Sequence, residues 1–109
     1  MGLLLRTAVA ASALLAGAAQ AVEPGNIQAG HEYAKKVCAE CHEVEAGEYI
    51  SLRPDVPSFQ AVADTPGMTG RALAVWLQSS HPTMPDLIIP PDDMDNLIAY
   101  IMSLHSPSR

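Results

Sequence analysis

The run Cys38-Ala39-Glu40-Cys41-His42 has the C-x-x-C-H spacing that attaches a c-type haem. Two thiols three residues apart can each add to one vinyl group of a porphyrin, giving two thioethers along one edge. The imidazole of the next residue is then carried under the iron, where it becomes an axial ligand. These five positions specify a covalent cofactor, haem c, held by Cys38 and Cys41, and one metal bond through His42. Other chemistries of the same side chains fit less well. A zinc site needs four ligands at matched spacing, and the chain has no second C-x-x-C and no H-x3-H. A thioredoxin-like pair needs a strand-turn-helix setting, and no β-rich run precedes Cys38. A disulfide in an exported helical domain without haem is the plainest alternative. Against it, the only two cysteines are followed at once by His.

A haem iron held by one His keeps an open sixth position unless the protein fills it. The candidates are Met68, Met84, Met94, Met102, His31, His81 and His105. Met94 and Met102 belong to a helical pattern in which Met commonly packs the core. His31 and His105 fall toward polar faces or the chain end. Met84 sits in His81-Pro82-Thr83-Met84-Pro85, where two prolines stiffen an extended loop. It is far enough from His42 in sequence to cover the opposite haem face, and a thioether favours ferrous iron. Met84 is the first choice, His81 the runner-up and Met68 third.

The elements that position these residues read as helices. Asn26 can cap a first helix running to about Ala39, with Ile27, Gly30, Ala34 and Val37 on one face. Gly30 inside a helix costs about 1 kcal/mol relative to Ala, which points to close approach of another helix. Residues 43–56 read as an acidic irregular loop containing Gly47 and Pro54. Pro57-Ser58-Phe59 opens one or two turns of helix, with Phe59 in the core or against the haem. Thr69 can cap a helix over 70–80, with Leu73, Trp76 and Leu77 on one side. Trp76 is expected to pack in the core, its indole N–H seeking an acceptor such as a haem propionate. A last helix starts near Asp92 or Asp93, where acidic residues suit the positive helix end. It runs to Leu104, carrying Leu97, Ile98 and Ile101. No run reads as a paired strand, so the class is all-α.

Residues 1–21 have the pattern of a cleaved signal peptide: Arg6, an apolar stretch over 8–16, and Ala19-Gln20-Ala21 as an A-x-A site. That stretch is short and Ala-rich beside the roughly 20 strongly apolar residues of a membrane span, so stable membrane insertion is not expected. Residues 22–109 then form a single domain whose core alone would be marginal; a buried apolar cofactor would complete it. Twelve Asp and Glu against six Lys and Arg give a formal net charge of −6. Such a surface disfavours nucleic acid or anionic lipid as partner and suits docking to a basic face of a redox protein; it serves equally as a solubility charge.

In four places the sequence resembles the class I (mitochondrial and bacterial type) cytochromes c, and the likeness spans 22–109. Gly30 lies eight residues before Cys38, the C-x-x-C-H run follows, Thr83-Met84-Pro85 resembles the methionine-ligand loop, and residues 97–104 resemble the C-terminal helix. The resemblance implies a fold whose first and last helices cross near Gly30 and Tyr100 over a haem crevice. It also implies that the Pro57 carbonyl accepts from the second ring nitrogen of His42, orienting the ligand. Two departures stand out. Ala34 replaces an aromatic residue common four positions before Cys38, and the loop after the motif is acidic rather than lysine-rich. The expected function is that of a periplasmic, monomeric one-electron carrier with His42–Met84 ligation, serving redox partner proteins and not itself an enzyme. The rival is a ligand-binding or sensor haem protein with an open or labile sixth position, in which His81 would be the distal hydrogen-bond donor.

Overall fold

The computed structural model describes residues 23–85 and 87–107, and every described element is helical. The signal-peptide expectation for residues 1–21 lies outside them. Helix α1 spans Ile27–Tyr33, and Asn26 caps it as expected, its side chain accepting from the Ala29 N–H at 2.8 Å. The expected continuous helix to Ala39 is corrected at Ala34, where the chain widens into a π-helical segment, Ala34–Cys38. The Ala39 N–H reaches back five residues to the Ala34 carbonyl at 2.9 Å. Single π turns inside α-helices recur at functional sites. Here one delivers Cys38.

Helix α2, Phe59–Ala63, is one turn capped by Ser58. Helix α3 spans Gly70–Leu77 and is capped by Thr69, whose hydroxyl accepts from the Ala72 N–H at 3.1 Å. It ends before the expected Ser80, its last carbonyls being taken by turn bonds from Gln78 and Ser79. Helix α4, Pro91–Ser103, starts with Pro at its first position and carries Asp92 and Asp93 in its first turn. Both features suit a helix N-terminus.

Helices α1 and α4 cross at Gly30. A Cβ there would fall onto the Asn96 carbonyl and lie 2.8 Å from Tyr100 Cβ. The close approach inferred from a glycine inside a helix is therefore present. Just upstream, Gly25 has φ +107° and passes beneath the backbone of Asp95, while the Asn26 N–H donates to Asn96 Oδ1 at 2.8 Å. The core joins Ala34, Val44, Phe59, Ala63, Leu73, Leu97, Ile98, Tyr100 and Ile101. All four helices contribute to it or to the residues packed on it. None of the described helices is long and apolar enough to cross a membrane.

Candidate functional site

An apolar cavity of about 300 Å³ opens between the Cys38–His42 segment, the helices and the loop before α4. That size lies at the lower end of the range for small-molecule and cofactor sites. Val37, Cys38, Cys41 and His42 enter it from the segment after α1, and Val56 and Pro57 from the long loop. Phe59 and Val62 of α2, Leu73, Trp76 and Leu77 of α3, and Leu97 and Ile101 of α4 supply hydrophobic lining. The loop before α4 adds His81, Thr83, Met84, Pro85, Leu87 and Ile89.

His42 is oriented from the backbone. Its Nδ1 lies 2.7 Å from the Pro57 carbonyl oxygen. A carbonyl can only accept, so Nδ1 carries a proton, and in the neutral ring Nε2 is the nitrogen with the lone pair. That tautomer presents a metal ligand. The contact is the one the family resemblance implied for Pro57. Two further features hold the turn: the Cys38 carbonyl accepts from the His42 N–H at 2.9 Å, and the Phe59 N–H donates to the Glu43 carbonyl at 2.9 Å. The Phe59 ring sits 5.3 Å from the imidazole, tilted by 53°.

Cys38 and Cys41 are not joined to each other, and each is half-buried. Burial pushes the Cys38 thiol up to about 11, the reverse of the lowered values that make redox-active cysteines reactive. Arg53 reaches the same corner, its Nη1 3.7 Å from Cys41 Sγ. Among the described residues, no three His, Cys, Asp or Glu side chains gather into a metal-binding group.

Of the seven candidates for the sixth position, Met84 and His81 line the cavity. Met68, Met94 and Met102 pack against the core instead. His31 is held by both carboxylate oxygens of Glu45, at 2.9 and 3.0 Å, and stacks on Tyr100 with centroids 4.6 Å apart. It is thus half-buried at the α1–α4 crossing rather than on a polar face. His105 Nδ1 donates to the Ala63 carbonyl at 2.9 Å.

Cytochrome c-552 of Bradyrhizobium diazoefficiens is 38% identical to this chain over 103 residues, covering 94% of the chain and 92% of the relative. The chain belongs to the class I monohaem cytochrome c family. Haem c, covalently attached and carrying one iron, is therefore the cofactor of this cytochrome, and its place is among the c-type electron carriers. No family model and no solved structure matches the chain.

The residues of this cytochrome fit that group. The cavity is apolar, as a porphyrin face requires, and two thiols, an imidazole with a free Nε2 and a thioether all open onto it. Trp76, expected to pack in the core, lines the cavity wall. Its indole stacks on the His81 imidazole, with centroids 3.6 Å apart and planes at 17°. The sequence held no signal for this pair, since residues five apart do not share a helix face and α3 ends between them. Arg53 was hidden in the same way, in a loop whose composition announced only irregularity.

Proposed function

We propose that this cytochrome is an exported, periplasmic one-electron carrier in which Cys38 and Cys41 form the thioethers and His42 and Met84 are the axial ligands. The observation that carries the reading is the set of groups on one apolar cavity: both cysteines, Met84, and a His42 whose Nδ1–H is fixed on Pro57 at 2.7 Å. When bound, haem c supplies an iron that takes up and releases one electron. His42 offers Nε2 to that iron in a single orientation, because the Pro57 carbonyl holds the ring and raises its basicity. Met84 offers a neutral, soft sulfur that favours the reduced state. Were His42 and Met84 both to hold the iron, electron transfer would need no bond broken and little rearrangement of the packed helices. The apolar lining from α2, α3 and α4 would limit water at the cofactor and so favour the less charged ferrous form.

Export rests on the residue pattern of 1–21, whose removal leaves 22–109 as one domain acting as a monomer. The likeness to a cytochrome c electron carrier supports a carrier rather than an enzyme. Redox proteins are the partners, met through the cofactor edge.

An absorption spectrum tests the ligand set. The ferric protein should show the weak charge-transfer band of methionine ligation toward the red end, and Met84→Ala should lose it. Persistence of the band in that variant overturns Met84. Carbon monoxide binding to the untreated ferrous protein would favour the ligand-binding alternative. Mass spectrometry should find the protein heavier by one haem, with the mass kept after acid-acetone extraction.

A further inference from the structure

The loop that carries Met84 leaves α3 through His81, and His81 turns back onto that helix. Its ring lies on the Trp76 indole, 3.6 Å between centroids and 17° from parallel. Its Nε2–H donates to the Trp76 backbone carbonyl at 3.0 Å, which also accepts from the Ser79 N–H at 3.1 Å. That carbonyl belongs to the last turn of α3, where helix carbonyls lack partners within the helix. His81 therefore adds a second bond to a carbonyl at the end of α3 and fixes the chain three residues ahead of Met84. Between and after them Pro82 and Pro85 restrict the backbone, so the position of residue 81 is passed on to residue 84. Trp76 stands on the cavity wall, with one ring face turned to His81. As a platform for a loop residue it has a purpose.

We propose that the Trp76–His81 pair is a latch that holds the methionine loop against α3 and sets how readily Met84 gives up the sixth position. The proposal rests on Met84 being the sixth ligand. His81 acts in it as a positioning residue, through the loop and not by touching the iron. Its hold comes from one aromatic stack and one hydrogen bond, two different contacts that can be removed separately.

The test uses the haem-loaded protein and four sequences: wild type, His81→Ala, His81→Phe, which keeps a ring, and His81→Gln, which keeps a donor. Two quantities are followed: the methionine charge-transfer band against far-ultraviolet circular dichroism during warming, and the rate at which imidazole enters the ferric protein. His81→Ala should lose the band at a lower temperature while the helical midpoint stays in place. Imidazole should enter it about tenfold faster, the effect of one modest hydrogen bond and one exposed stack. The Phe and Gln variants should fall between, and they decide the matter should the Ala variant not assemble. Equal imidazole rates in all four overturn the latch. So does a band that merely melts with the helices in every variant, which marks His81 as structural only. Absence of the band in wild type removes the Met84 assignment itself, an outcome distinct from either.

Discussion

One backbone carbonyl decides which nitrogen of His42 is available, and a comparable contact governs Tyr100. The Tyr100 side chain is 5% exposed, its hydroxyl donates to the Val44 carbonyl at 2.6 Å, and its ring carries the stacked His31. Burial pushes its pKa up to about 12, with Glu45 and Glu43 adding repulsion toward the phenolate. The folded value lies above the unfolded value of about 10. The neutral form is thus favoured by folding, and the stability this gives is complete below pH 10 and is lost as pH rises toward 12. Tyr100→Phe should cost about 1–2 kcal/mol at neutral pH by orphaning the Val44 carbonyl. It should also lack the decline between pH 10 and 12 that wild type shows. Denaturant titrations of both proteins across that interval measure the difference, and parallel curves would count against it.

At the scale of elements, two joints hold the site. The first is the α1–α4 crossing, where Asn96 and Tyr100 leave room for no side chain at residue 30. Gly30→Ala gains helix propensity of about 1 kcal/mol but drives a methyl onto a backbone carbonyl that cannot swing away. Overpacking should win, with a net loss of about 1–3 kcal/mol in denaturant unfolding of the haem-loaded protein. The second joint ties α2 to the long loop and the chain's end. Buried Gln60 accepts from the Gly47 N–H at 2.8 Å and donates to the Leu104 carbonyl at 2.6 Å. Asp64 accepts from the Ser106 N–H and the Tyr49 hydroxyl, each at 2.7 Å. The Ser106 N–H first, then Tyr49 and Gln60, lower the Asp64 carboxyl to about 2, below its unfolded value of about 3.9. Its contribution is present above pH 4 and fades as pH falls toward 2. Asp64→Asn should therefore be less stable than wild type at pH 6, with the two curves converging near pH 2. Circular dichroism during urea unfolding at each pH checks this; a constant gap would refute it.

For the whole molecule, a formal charge of −6 gives an attractive field to cationic reagents. Oxidation of the reduced protein by a small cationic complex should slow as salt rises, while an anionic one should speed up; stopped-flow rates across ionic strength measure both. Much of the architecture was legible before folding was considered. Asn26 and Thr69 announced their helices because a cap needs only a side chain and a nearby N–H. Gly30 announced a neighbour because its cost within a helix demands a return. The two ends of α3 show the limit: its start lay in a cap, but its stop lay in turn bonds among Val75, Trp76, Gln78 and Ser79 that no residue type dictates. By itself the sequence pointed to haem c, since the C-x-x-C-H spacing lies within five residues, where covalent geometry sets the distances. Only the tertiary structure decided that Met84 and His81 share the cavity while five other candidate ligands do not. It alone put Trp76 at the rim, stacked on His81. Those contacts join residues whose separation is set by how packed helices route the chain, and that route follows from burial summed over the whole core rather than from any local spacing.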